Sequence, residues 1–166
     1  MGNKGIISSG DVQWMTAGSG IIHQEMPKGD RDDSMYGFQL WANLPKSHKM
    51  MEPHYRDVKS DQIPIVSLPN GTKTMVICGS AGGKQGPVRD IVTDPEYLDI
   101  TIPARLKFAH PTKRKHTVLA YIIEGKGYFC KEMKPFSYEM EGINYFDMKP
   151  DPFLVNGDLV LFGNGD

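Results

Sequence analysis

His23-Gln24-Glu25 is the stretch of this 166-residue chain whose residue types and spacing could do chemistry. On an extended strand, residues two apart point to one face, so the His23 imidazole and the Glu25 carboxylate would converge into the same space. A mixed nitrogen and oxygen donor pair suits Fe(II), Mn(II) or a similar divalent metal and leaves coordination positions open. The spacing alone is weak. In a chain with 5 His, an H-x-E arises by chance roughly once in five such chains and then marks an exposed or hydrogen-bonded pair. The nearest other imidazoles are His48 and His54, and His54, in Glu-Pro-His-Tyr, reads as solvent-facing. His110 and His116 flank Lys113-Arg114-Lys115, a basic cluster that reads as a solvated loop, as do the acidic clusters Asp30/Asp32/Asp33 and Glu139/Glu141.

The elements that must position the pair are short strands. Val12–Ala17 and Ile21–Met26 are strand-like runs separated by Gly18-Ser19-Gly20, where glycine lets the backbone turn sharply. Tyr36–Leu44 alternates: Tyr36, Phe38, Leu40, Ala42 and Leu44 share one face, and Gln39, Trp41 and Asn43 the other. Pro45–Met51 allows one helical turn at most, because Pro53 follows. Lys73–Cys78, Val88–Thr93 and Tyr97–Ile102 fit further strands. The pattern breaks at Pro103–Lys115, which we take as a domain boundary. Beyond it, Thr117–Glu124 reads as a strand, Gly125-Lys126-Gly127 as a turn, and Tyr128–Cys130 as the return strand of a hairpin. Lys131–Pro152 has no clear period and looks like an insertion. Phe153–Val155 and Leu159–Phe162 read as a turn-linked pair.

Composition points the same way. Ile and Val together number 22 against 15 for Ala and Leu, and the chain carries 18 Gly and 12 Pro. β-Branched residues thus outnumber good helix formers, and turn residues are abundant. The chain should be mainly β. With 19 basic and 20 acidic side chains, it carries no electrostatic footprint for nucleic acid. The longest stretch without Asp, Glu, Lys or Arg, Val12 to Gln24, is too short and too polar to span a membrane. The N-terminus lacks the apolar run of a secretory signal, and Ile6 stands where a myristoylation motif needs Ser or Thr. Cys78 and Cys130, with no C-x-x-C, read as buried free thiols in a reducing compartment. Trp14, Met15 and Trp41 read as packing residues.

The run from Gly10 to Pro27, GDVQWMTAGSGIIHQEMP, closely resembles the signature of the pirin family, members of the cupin superfamily. The resemblance continues through Phe38–Pro45, Lys49–Tyr55 and Asp61–Pro64, with weaker echoes at Tyr97–Asp99, Tyr121–Gly125 and Leu159–Gly163. It implies a cupin-type (jelly-roll) β-barrel or sandwich and, for this chain, an incomplete bicupin. Residues 1–103 would be an N-terminal cupin without its first strands plus linking strands, and 116–166 the start of a C-terminal cupin. The family's metal, usually iron, is held by three His and one Glu. His23 and Glu25 match two of those ligands, the H-x-H that supplies the others has no match here, and Gln39 matches a residue bordering the metal pocket.

The resemblance further implies an iron-binding, redox-responsive regulatory protein acting as a transcription cofactor through a transcription-factor partner, in the cytoplasm or nucleus. The alternatives are a quercetin 2,3-dioxygenase-like enzyme taking a flavonol, in which Glu25 would be both ligand and acceptor of the phenolic proton and so the candidate catalytic residue, and a truncated member without metal function. No direct nucleic-acid or membrane contact is expected. Strands missing from two barrels would leave open edges, with Val12, Trp14, Ile21, Leu40 and Val160 as candidates for exposure, so a homodimer or one hybrid barrel is expected.

Overall fold

In a computed structural model of the chain, residues 5–29, 36–130 and 153–163 are described. The chain divides into two compact units, Met1–Phe108 and Ala109–Asp166. Lys131–Pro152, expected to be an insertion, and both acidic clusters, Asp30/Asp32/Asp33 and Glu139/Glu141, lie outside the described residues.

The first unit is built on two antiparallel sheets. β1 (Val12–Thr16) pairs with β2 (His54–Val58), Val12 opposite Val58 and Thr16 opposite His54. β4 (Lys73–Cys78) is flanked by β3 (Ile65–Ser67) and β7 (Tyr97–Thr101). A tight hairpin, β5 (Ser80–Ala81) and β6 (Lys84–Gln85), follows β4. The core gathers Val58, Ile63, Ile77, Cys78 and Val88, with Val12, Trp14, Met75, Ile91 and Tyr97 packed against it. β4 is apolar or small at nearly every position, and both its faces are covered: Val76 is 0% and Ile77 6% exposed. That is the pattern of a central strand. Short 3-10 turns at Lys46–His48 and Ser60–Gln62 are the helical elements among the described residues.

In the second unit, β8 (Leu119–Tyr121) pairs with β11 (Leu159–Leu161), and β9 (Lys126–Gly127) with β10 (Leu154–Val155). The turn between β10 and β11 is closed by Asp158, whose Oδ2 accepts from the Val155 amide at 2.7 Å. Tyr128 stacks on Phe153 with ring centroids 3.9 Å apart.

The strands expected at Val12–Ala17, Lys73–Cys78 and Tyr97–Ile102 are present within a residue at one end. Other expectations need correction. Ile21–Met26 and Tyr36–Leu44 form no strand, because neither has a ladder partner among the described residues. Trp41, expected to pack, is 83% exposed. Val88–Thr93 is a loop touching Cys78 through one parallel bridge; Asp90 at φ 59° breaks the extended path. Lys126-Gly127, read as turn residues, are ladder residues, and Tyr128–Cys130 is not a strand. β10 and β11 share a turn but pair with different strands. Cys130 is exposed, against expectation, whereas Cys78 is buried; neither is in a disulfide. Ile21 and Leu40 are exposed, whereas Val12 and Trp14 pack on the core and Val160 is half-buried.

Candidate functional site

The chain leaves β1 through a turn that fixes where the His23 segment begins. The Gly20 amide donates to the Ala17 carbonyl and the Ser19 amide to the Met51 carbonyl, both at 2.9 Å. Gly18 sits at φ 50°, and a Cβ there would run into the Met51 carbonyl oxygen. Only glycine combines that backbone conformation with that approach.

Beyond the turn, His23 and Glu25 converge although no ladder holds them: His23 Nε2 lies 3.8 Å from Glu25 Oε1. Gln39, fourteen residues on, donates from Nε2 to the same Glu25 oxygen at 3.3 Å. The three polar residues singled out by the sequence therefore stand together. They are also wet, with the His23 and Glu25 side chains 43% and 55% exposed.

A metal with bonds of about 2.1 Å holds neighbouring tetrahedral donors roughly 3.4 Å apart. The observed 3.8 Å is close enough for a small rotamer change to close it. Gln39 Nε2 can keep its bond to Oε1 when a cation binds there, because a carboxylate oxygen has two lone pairs and can accept an N–H with one while coordinating with the other. Among the described residues, no group of three or more His, Cys, Asp or Glu is arranged to hold a metal. The pair fits two positions of a coordination shell. Neither His48 nor His54 joins it.

A second polar concavity lies on the β1–β2 ladder. The register places Trp14 opposite Arg56 and Thr16 opposite His54 on the same face as Val12 and Val58. Where that face runs beyond the core, these four side chains wall a cleft of about 140 Å³. Asp90, Ile91 and Val92 form its other side. Arg56 is held by an Nη1–H donated to the Arg89 carbonyl at 2.8 Å.

The foot of β1 is tied down by Asp11. Its carboxylate accepts from the amides of Ser8 at 3.0 Å and Ser60 at 2.9 Å, and from Lys59 Nζ at 2.9 Å. The Ser8 amide foremost, with the Lys59 ammonium and the Ser60 amide, pulls its pKa from 3.8 to about 2. On the other face of the ladder, the Tyr55 hydroxyl accepts from Gln13 Nε2 and donates to Asp57 Oδ1. Burial, then the bond to Asp57, raises its pKa.

A family model described as Pirin matches residues 1–42. The chain is 40% identical over 129 residues to a Pseudomonas aeruginosa protein named a putative quercetin 2,3-dioxygenase, covering 75% of this chain and 45% of that protein. It is 43% identical over 124 residues to Pirin-1 of Arabidopsis thaliana, covering 75% and 42%. Along about three quarters of its length the chain is similar to pirin-family proteins.

The chain spans about half the length of the curated relatives it matches. A crystal structure of a Geobacillus kaustophilus protein superposes with a TM-score of 0.58 at 24% identity, over 94% of this chain and 54% of that one. With the antiparallel sheets described above, it gives this chain a mainly β, cupin-type fold. Among the described residues, no helix is long and apolar enough to cross a membrane. Sequence reasoning missed the Asp11 anchor and the β1–β2 cleft. The cleft draws on residues 14–16, 51–56 and 90–92, and no local spacing announces it. The Asp11 anchor did leave one local sign, an Asp three residues after a Ser.

Proposed function

We propose that this chain carries half of a pirin-type metal site, in which His23 Nε2 and Glu25 Oε1 are two ligands and Gln39 orients the Glu25 carboxylate. The observation that carries the reading is the meeting of these three side chains, 3.8 Å and 3.3 Å apart, in a segment that lacks ladder support. Iron is the metal proposed. Bound iron would supply Lewis acidity and a one-electron redox couple. The chain's own contribution is to present a neutral imidazole and a carboxylate, with the carboxylate steered by a side-chain amide.

Two exposed donors suit a metal that comes and goes rather than one that is locked in place, since water or other groups must complete the shell. That favours the regulatory reading: metal loading changes a protein surface that a transcription-factor partner reads, inside the cell, where both free cysteines stay reduced. After dialysis, metal analysis should find iron below one equivalent and lost in His23→Ala. Stoichiometric iron that survives a chelator, or iron unchanged in His23→Ala, overturns the half-site.

A second reading is favoured by the name of the Pseudomonas aeruginosa relative. There a flavonol would occupy the open positions and Glu25 would accept its phenolic proton. With two side-chain ligands, little oxygen-dependent loss of quercetin absorbance is expected. Turnover that disappears in Glu25→Gln would make the dioxygenase the first reading.

A further inference from the structure

We propose that the cleft on the β1–β2 ladder binds a small zwitterion, an α-amino acid with a short branched aliphatic side chain. The argument rests on two opposite charges that share one concavity without neutralising each other. Arg56 and Asp90 both line the cleft, yet among the described residues no ion pair joins them and Asp90 has no hydrogen-bond partner. Arg56 is held in place by its bond to the Arg89 carbonyl, and its other N–H groups remain for a carboxylate, which a guanidinium grips with two parallel bonds. Asp90 is fixed at φ 59°, a conformation uncommon outside glycine that carries a local cost and recurs at ligand sites.

Much of the remaining lining is apolar: Trp14, Met51, Ile91 and Val92. Such a site places an ammonium on Asp90, a carboxylate on Arg56 and a hydrocarbon branch against the indole. The size agrees. A cavity of roughly 150 Å³ takes a six-carbon ring, so 140 Å³ suits a molecule the size of valine. Thr16 and His54, opposite each other and one step along the ladder from the Trp14–Arg56 pair, add a hydroxyl and an imidazole to the lining. A plain carboxylate would leave Asp90 unanswered, and a plain amine would leave Arg56 so.

The chain has two tryptophans, and Trp41→Phe leaves Trp14 as the reporter. Titration of that variant with L-valine should give a saturable fluorescence change in the millimolar range or below, and calorimetry on the unmodified chain should give the same affinity. Isobutyrate and isobutylamine, each lacking one charge, should bind about tenfold or more weakly, the loss expected for one charge-assisted hydrogen bond. Arg56→Gln and Asp90→Asn should each weaken valine by a similar factor; asparagine tolerates the left-handed backbone at position 90. No saturable binding in either measurement overturns the proposal. So does isobutyrate or isobutylamine matching valine on the unmodified chain, a result that needs no variant to fold.

Discussion

The strand β4 and the segment 36–44 carry similar amounts of apolar side chain and meet opposite fates. In β4, Val76, Ile77 and Cys78 are all buried, and the backbone is bonded on both sides, to β3 and β7. In 36–44, Tyr36 is 75%, Leu40 65% and Trp41 83% exposed, and no strand among the described residues pairs with the segment. The alternation of 36–44 is as regular as that of any strand in the molecule. An alternating pattern states which face would be buried if a partner pairs; it does not supply the partner. The proposed metal half-site lies in the region without a ladder partner among the described residues. His23 and Glu25 are therefore held by the Gly18 turn and the Gln39 contact instead of by a ladder, and that explains their exposure.

The largest effect should separate the two regions by stability. Ile77→Ala removes a side chain from the core and should cost about 2–5 kcal/mol. Leu40→Ala and Trp41→Ala should each change stability by less than about 0.5 kcal/mol, all three read from urea unfolding. A Trp41→Ala cost as large as that of Ile77→Ala would mean that 36–44 is covered in solution, as in the expected homodimer, and light scattering would then show a mass above that of one chain.

Gly18→Ala comes next, at about 1–3 kcal/mol. It forces a Cβ against the Met51 carbonyl at a positive φ, so it should also weaken metal binding by displacing the His23 segment. A stability loss with unchanged metal affinity would show that the turn does not position the site.

Acid should act through Asp11. Its folded pKa of about 2 lies below the ordinary 3.8, so the unfolded chain takes up the proton first. Its stabilisation is fully present above about pH 4 and is lost as pH falls through the folded value near 2. Asp11→Asn should flatten that limb of the stability curve between pH 4 and pH 2 and change little at pH 7 in its slope. An unaltered acid limb would place the titrating anchor elsewhere.

Gln39→Ala should leave unfolding unchanged and weaken metal binding about tenfold, as expected for removal of a group that orients a ligand. No change in affinity would make the Gln39–Glu25 bond a bystander.

Much of the first unit was legible in the sequence because its central strands announce themselves. Lys73–Cys78 is continuously apolar or β-branched after its first residue, and Val12–Thr16 ends at a glycine-rich turn. β2 was not legible: His54-Tyr55-Arg56-Asp57-Val58 buries only its last residue fully, so periodicity has nothing to find, and it is a strand because β1 pairs with it. Ile21–Met26 shows the converse, a strand-like sequence without a partner. The H-x-E spacing was readable, and the two side chains converge as the spacing of alternate residues requires. The contact from Gln39 came to notice through the resemblance rather than the pattern. The cleft brings together residues from three distant segments, which a linear reading cannot assemble.

The half-site is tested most directly by Mn(II), whose unpaired electrons broaden the NMR signals of nearby nuclei. Added below one equivalent to the chain with isotopically labelled backbone, it should broaden His23, Glu25 and Gln39 first and leave Val76 and Ile77 sharp, and His23→Ala should abolish the effect. Broadening centred on His54 and Asp90, or spread evenly over the exposed carboxylates and unchanged in His23→Ala, would contradict it.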